Sequence, residues 1–232
     1  MDSLVVVAHP DDEVLGAGGT IYQLTQSGYA VTVCILSGEV DARNNRPTVE
    51  QLADDVRSSS AILGVCDVIN GHFPNIEFNM VPHLELVKFI EKVIVKTKPD
   101  VVFTHHPGDL NNDHLHTSLA CQAAVRLFQR NPKVAPIKEL LFMEIPSATD
   151  WSLNRAVGTF NPNTFIEVGK IGVDKKIEAL SQYRGVMRDY PHPRSTEALV
   201  GLAAYRGGQA GMVYAEAFES AFRRWDIGRK IQ

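Results

Sequence analysis

The chain has 232 residues, of which 44% are apolar, and a formal net charge of −4 at neutral pH. A chain of this length buries about three quarters of its unfolded surface, so we expect one domain over residues 1–232. The mildly acidic charge argues against nucleic acid and anionic membranes as partners, because both attract basic proteins. The three cysteines are odd in number and widely separated, which indicates reduced thiols rather than a disulfide framework.

The amino terminus has no basic segment before its short apolar run, which is too brief for a secretion signal. No stretch approaches the ~20 apolar residues that a membrane-spanning helix needs. We therefore expect a soluble protein of the cytoplasm.

Strands and helices are predicted to alternate along the first two thirds of the chain. Strands are predicted near residues 3–8, 30–36, 66–70, 100–104 and 139–145, and the first has the uniformly apolar core (Leu4 to Val7) of a strand covered on both faces. Apolar stripes at helical spacing predict helices over residues 14–25, 50–63, 84–94 and 114–128. This alternation predicts an α/β fold, a Rossmann-like three-layer sandwich with a mostly parallel sheet.

The pattern is looser after residue 146, although an apolar helical face returns over residues 173–183. We expect this part to continue the same domain and, from about residue 147, to form a wall of the active site. The glycines within residues 16–19 do not have the spacing of a dinucleotide-binding loop. They are expected instead to let the first helix pack closely on the sheet.

Residues 8–13 (Ala-His-Pro-Asp-Asp-Glu) follow the first predicted strand, at the edge where parallel sheets bind ligands. His9 and Asp12 are three residues apart around a proline, so one sharp turn can direct both at a single cation. Imidazole nitrogen and carboxylate oxygen suit zinc. Asp11 is then available to take a proton from water. In the alternative interpretation, the acidic residues only stabilise the start of the next helix.

A second group of polar residues, 105–116 (His-His-Pro-Gly-Asp-Leu-Asn-Asn-Asp-His-Leu-His), follows another predicted buried strand. The two strand ends are expected to meet in one sheet. One histidine of this segment, together with His9 and Asp12, gives three protein ligands and leaves one position open. That arrangement is typical of catalytic zinc, and ferrous iron accepts the same ligands.

The sequence resembles the LmbE-like or PIG-L deacetylases, which remove acetyl groups from N-acetylglucosamine conjugates. The resemblance rests on residues 8–13, on the Asp113-His114 pair, on residues 191–195 (Pro-His-Pro-Arg-Ser), and on two later segments, 205–207 and 215–218. It implies that His9, Asp12 and His114 bind the metal, that Asp11 is the general base, and that a Rossmann-like sheet carries them.

One position departs from the family pattern. Many members have a histidine three residues before the ligand histidine, where it stabilises the transition state, but this chain has Asn111 there. We assign that role to His192, which two prolines hold in an extended segment. The predicted reaction is hydrolysis of an acetamide by metal-activated water, with Asp11 as base and protonated His192 assisting at the oxyanion and the leaving amine.

Four residues are candidate substrate contacts. Glu39, Arg43 and Arg46 follow the second predicted strand, and Arg194 lies two residues after His192. Sugar hydroxyls need paired donors and acceptors, and guanidinium groups match a phosphate or carboxylate elsewhere on a conjugate. In the alternative interpretation, these side chains are only solvated.

The predicted partner is a small N-acetylated sugar conjugate, with no nucleic acid and no membrane. The sequence does not choose among a sugar nucleotide, a glucosaminyl malate or inositol, a chitin-type disaccharide and an antibiotic glycoside. A homo-oligomer would be in keeping with the family. Two other functions stay open: a metal-containing sugar-binding module without hydrolysis, and a nucleotide-dependent oxidoreductase, which the missing glycine fingerprint disfavours.

Overall fold

The computed structural model describes residues 1–38, 47–153 and 158–225. Within these residues one seven-stranded sheet forms, in the strand order β3-β2-β1-β4-β5-β7-β6. Its strands are β1 (Ser3–Val7), β2 (Val31–Ile35), β3 (Asp67–Asn70), β4 (Val101–His105), β5 (Glu139–Met143), β6 (Thr164–Glu167) and β7 (Ala215–Arg223). The first five are parallel, whereas β7 runs antiparallel to both β5 and β6.

Six α-helices accompany these strands in the described part of the chain. They are α1 (Asp12–Gln26), α2 (Val49–Leu63), α3 (His83–Thr97), α4 (Asn112–Ala124), α5 (Gly169–Leu180) and α6 (Thr196–Ala210). Short 3-10 helices cover Phe78–Met80 and Leu127–Gln129. None of the helices described combines the length and apolar character that a bilayer crossing requires.

The sheet separates two apolar cores. Alternate side chains of β1 point to opposite faces: Val5 and Val7 join a core with α1, α2 and α5, whereas Leu4 and Val6 join a core with α3 and α4. All four are fully buried, as the uniformly apolar run predicted. The α/β fold with three layers and a mostly parallel sheet is confirmed.

The glycines of α1 permit close packing, as expected. A Cβ on Gly16 would lie 2.6 Å from Ile145 Cδ1, and one on Gly19 would lie 2.9 Å from Val168 Cγ1. A side chain at either position would therefore push α1 away from the segments that follow β5 and β6.

The structure corrects several predicted boundaries and adds elements. The fourth helix ends at Ala124 rather than 128, because a 3-10 turn replaces its last turn, and β5 ends at Met143 rather than 145. Strands β6 and β7 and helix α6 were not predicted. The carboxyl-terminal part therefore extends the sheet, since β7 pairs with β5.

Candidate metal centre and active site

The candidate site lies where two neighbouring parallel strands end. β1 pairs with β4, with Val5 opposite Phe103, so the residues that follow each strand meet at one edge of the sheet. Helix α1 begins at Asp12, after the short turn of residues 8–11 that follows β1, and helix α4 begins at Asn112 after the loop that follows β4. Each helix therefore presents its first turn to the same small volume.

His9, Asp12 and His114 come together there, and all three are buried. Asp12 Oδ2 lies 3.3 Å from His9 Nδ1 and 3.3 Å from His114 Nε2. The ligand atoms of the three residues are all within 4.8 Å of one another. Two imidazoles and one carboxylate around a common point form a donor set that fits zinc or ferrous iron.

Asp113 fixes the orientation of His9. His9 Nε2 lies 3.0 Å from Asp113 Oδ2, and this carboxylate also accepts hydrogen bonds from the backbone N–H groups of Ile76 at 2.6 Å and Phe78 at 3.0 Å. A carboxylate has no proton to give, so Nε2 of His9 must be the donor. The other ring nitrogen, Nδ1, then faces Asp12 with its lone pair free to bind a cation.

Asp109 fixes the orientation of His114 in the same way. His114 Nδ1 lies 2.9 Å from Asp109 Oδ2, and Thr149 donates a hydrogen bond of 2.7 Å to Asp109 Oδ1. His114 Nε2 is thereby left to face Asp12. His105 stacks on His114, with ring centroids 3.7 Å apart, and its Nε2 accepts a hydrogen bond from the Ala8 N–H at 2.9 Å.

A second possible metal group, His105, Asp109 and His114, shares one residue with the first. We interpret it as the layer that orients His114, because Asp109 already engages Nδ1 of that histidine. The rings of His105 and His114 are also stacked in nearly parallel planes, 19° apart, with centroids separated by 3.7 Å. The nitrogen lone pairs lie in the ring planes, so those of the two stacked rings lie in separate layers and do not converge well on one ion.

The electrostatics of the cluster favour a positive charge. Burial alone lowers the pKa of His114, but Asp12 and Asp109 raise it to about 10. Burial raises the pKa of Asp12, but His114 and His105 hold it well below its usual range. For His9, hydrogen bonds to Asp113 and Asp12 outweigh burial and raise the pKa. The buried carboxylates thus stabilise a cation at this position, which agrees with the donor set.

Asp11 directly precedes Asp12 in the chain and is itself buried. Its backbone has a φ of 103°, in the left-handed region, and its N–H donates to Glu13 Oε2 at 3.2 Å. The Asp11 Oδ2 atom lies 3.8 Å from Arg194 Nη1. The Arg194 Nε–H donates to Ser147 Oγ at 2.8 Å, which holds the guanidinium next to this carboxylate.

His192 is half-buried and is connected to the site through Arg194. Its Nδ1 accepts a hydrogen bond from the Arg194 N–H at 3.0 Å, and its ring contacts Trp151 edge-on at 5.4 Å. Burial lowers its pKa, as do the neighbouring cations of Arg194 and Arg188. The oxyanion and acid role of His192 stays a prediction.

Of the four predicted substrate contacts, only Arg194 is among the described residues, next to Asp11. Glu39, Arg43 and Arg46 lie outside the described residues. Their role stays a prediction, and the same holds for the wall that residues from about 147 were expected to form.

Three residues that hydrogen-bond the predicted ligands or Glu13 were not assigned a role from sequence: Asp109, Asp113 and Tyr183. Asp113 could have been found from its position directly before a ligand histidine in the first turn of a helix. Asp109 is five residues before that histidine, in the same loop. Tyr183 carries no comparable signal, because its hydroxyl reaches Glu13 across 170 residues of sequence.

The model of one protein family matches residues 4–125, more than half of the chain, and is described as "PIG-L: GlcNAc-PI de-N-acetylase". The chain belongs to the PIG-L family. This match confirms the resemblance on which the ligand assignment was based, and the matched residues include the predicted metal ligands His9, Asp12 and His114.

Individual proteins support the family assignment. The chain is 27% identical to a diacetylchitobiose deacetylase of Thermococcus kodakarensis, over 92% of this chain and 80% of that protein. Its fold matches the crystal structure of the conserved protein TT1542 from Thermus thermophilus, with a TM-score of 0.79, 26% identity, and coverage of 99% and 98% of the two chains. It also matches GalB, the 4-carboxy-2-hydroxymuconate hydratase of Pseudomonas putida KT2440, with a TM-score of 0.76, 25% identity, and coverage of 98% and 99%.

Proposed function

We propose that this protein is a metal-dependent hydrolase that removes the acetyl group from an N-acetylglucosamine-type conjugate. The observation that carries the proposal is the buried group of His9, Asp12 and His114, with a further buried carboxylate, Asp11, directly before Asp12 in the chain. The family description and the diacetylchitobiose deacetylase of Thermococcus kodakarensis support the substrate class. The proposal includes a small-molecule partner.

His9 Nδ1, an Asp12 carboxylate oxygen and His114 Nε2 would hold the ion, either zinc or ferrous iron. When bound, such an ion supplies Lewis-acid chemistry, because it polarises a carbonyl and makes water more acidic. Asp113 and Asp109 keep the two imidazoles in the tautomers that the ion needs.

The remaining residues handle the proton and the developing charge. Asp11 is the general base, since it is buried directly before Asp12 in the chain but belongs to none of the ligand groups that the described residues form. Arg194 holds that carboxylate in place from one side. His192 donates a hydrogen bond to the oxyanion and a proton to the leaving amine.

The decisive experiment incubates protein loaded with zinc or ferrous iron with a panel of N-acetylglucosamine conjugates and measures free amine. We expect release from at least one conjugate, and loss of release after chelation. Asp11→Asn is the matched variant: it should keep its metal and lose about 10²- to 10⁴-fold in kcat, the usual contribution of a positioned base. Near-full turnover by the metal-loaded variant would show that Asp11 is not the base.

The role of His192 is tested separately. His192→Ala should retain metal and lose about 100-fold in kcat, as expected for one oxyanion donor. His83→Ala, at the exposed start of α3, is the control and should keep full activity. Unchanged turnover by His192→Ala would remove this residue from the mechanism.

A second candidate function is hydration of a carboxylated alkene. The observation that favours it is the match to the GalB hydratase over nearly the full length of both chains. Both reactions use an activated water, and Arg194 beside Asp11 could pair with a substrate carboxylate. The same metal-loaded protein is therefore also incubated with 4-carboxy-2-hydroxymuconate, and loss of its ultraviolet absorbance without amine release from any conjugate would favour the hydratase.

A further inference from the structure

Two buried side chains, Glu13 and Tyr183, are hydrogen-bonded to each other, and Glu13 also binds the backbone of Asp11. The Tyr183 hydroxyl donates to Glu13 Oε1 at 2.5 Å, and the other oxygen of Glu13 accepts the Asp11 N–H at 3.2 Å. Both side chains are 2% exposed. A hydrogen-bonded connection therefore runs from the segment after α5, through the first turn of α1, to the peptide of Asp11.

The conformation of Asp11 explains why such a connection is needed. A φ of 103° is unfavourable for any residue with a Cβ, and Asp11 makes no side-chain cap at the start of α1. Its carbonyl accepts the N–H groups of Val14 at 3.1 Å and Leu15 at 2.9 Å, which fixes only one side of the residue. The peptide N–H on the other side is fixed by Glu13.

We propose that Tyr183 and Glu13 are positioning residues, which hold the backbone of Asp11 in its left-handed conformation and so keep its carboxylate beside the metal ligands. The proposal rests on the proposed function in one respect, the role of Asp11 as base. Neither residue contacts the reacting atoms. Tyr183 orders Glu13, and Glu13 orders the Asp11 peptide.

A purely structural role for Tyr183 predicts something different. Its ring belongs to the larger apolar core, so Tyr183→Phe keeps the packing and removes only the hydroxyl. If the hydroxyl served stability alone, the variant would unfold more easily, but the working enzyme would turn over as before. If it positions Asp11, the folded variant itself is slower.

The first test measures the kinetics of Tyr183→Phe in the metal-loaded protein. We expect kcat to fall about tenfold, the equivalent of one hydrogen bond, with KM and metal content unchanged. Tyr22→Phe, on α1 but outside this connection, is the control and should match the parent protein. A Tyr183→Phe enzyme with the parent kcat would overturn the proposal.

The second test is a double-mutant cycle with Glu13→Met. Methionine has a similar length but no strong acceptor, so the substitution removes the partner of both the Tyr183 hydroxyl and the Asp11 N–H. If Tyr183 acts through Glu13, then Tyr183→Phe should change kcat less than twofold in the Glu13→Met background. Independent effects that multiply in the double variant would overturn the proposed connection.

The third test does not depend on any activity. Backbone amide exchange at Asp11, followed by NMR, should be about tenfold faster in Tyr183→Phe than in the parent, while exchange at Val14 and Leu15 stays the same. If the parent protein releases no amine from any conjugate, the proposed function fails, and this exchange measurement alone decides the positioning role. Unchanged exchange at Asp11 would overturn it.

Discussion

The starts of α1 and α4 each carry a candidate metal ligand, but different contacts hold the two helix starts in place. Each helix follows a buried parallel strand and carries a candidate metal ligand in its first turn. α4 begins in the ordinary way: Asn111 is extended, with φ −73° and ψ 124°, and its side chain accepts the Asp113 N–H at 2.9 Å. α1 begins at a left-handed Asp11 without a side-chain cap, and its backbone is kinked at Ala17, where φ is −145°.

This difference shows which contacts stabilise each of the two helices that carry the candidate site. The backbone at the start of α4 is capped by a residue of its own turn, Asn111. α1 instead depends on side chains distant in sequence: Tyr183 after α5 and Arg194 before α6 support its start, and Glu216 on β7 caps the part after its kink. Since the proposed base lies at the start of α1, the proposed mechanism implies that the carboxyl-terminal part of the chain would contribute to catalysis through this helix.

The largest effect on stability is expected from Glu216→Ala. Glu216 accepts the N–H groups of Gly19 at 3.1 Å and Thr20 at 2.7 Å, just after the kink in α1, and pairs with Lys176 Nζ at 2.6 Å. Lys176 is only 9% exposed, so the substitution leaves a nearly buried cation without its partner. We expect a loss of about 3–5 kcal/mol in the free energy of unfolding, measured by urea denaturation.

The matched control is Glu178→Ala, which removes an exposed ion pair with Lys175 on the same helix, α5. Its unfolding midpoint should equal that of the parent, because exposed pairs contribute little. If Glu216→Ala also kept the parent midpoint, α1 would not depend on its contact with β7, and this part of the contrast between the two helices would be lost.

The next prediction concerns the affinity for metal and tests Asp113, in the first turn of α4. Asp113→Ala removes the carboxylate that orients His9 and leaves the amides of Ile76 and Phe78 without their acceptor. We expect metal affinity to fall about 10- to 100-fold, as for other residues that orient a ligand histidine. Competition with a chromophoric chelator measures this. The control is Asn112→Ala, because Asn112 is exposed and adjacent to Asp113; this variant should bind metal as the parent does. If Asp113→Ala also bound metal with the affinity of the parent, His9 would be oriented by other means.

Much of the fold was predictable because parallel strands covered on both faces leave a plain signal. Leu4 to Val7 and Val101 to Phe103 are apolar without alternation, and this arises only where helices cover both faces. β7 was harder to predict, since its sequence (AEAFESAFR) includes the buried Glu216. That glutamate is compensated by Lys176 and by helix N–H groups, which a local pattern does not include.

The candidate metal ligands were predictable because they follow the predicted strands, whereas most of the contacts that support them were not. His9 and Asp12 lie within five residues of the end of β1, and His114 lies in the first turn of the helix after β4, so their convergence depends mainly on β1 and β4 being neighbours. The supporting contacts depend on three-dimensional proximity that no spacing encodes, as in the approach of Tyr183 to Glu13. The left-handed Asp11 is a further example, since residue type alone favours an ordinary helix cap there.

The smallest expected effect comes from changing Asn111, the residue that caps the start of α4. Asn111→Ala removes the acceptor for the Asp113 N–H and should cost about 1 kcal/mol in the free energy of unfolding, the usual value of a helix cap. Asn111→Asp keeps an accepting oxygen and should restore most of it. Metal affinity should change little in either variant, because Asp113 is also held by the amides of Ile76 and Phe78. A large drop in affinity for Asn111→Ala would mean that the cap itself, rather than the loop around Ile76, orients Asp113 toward His9.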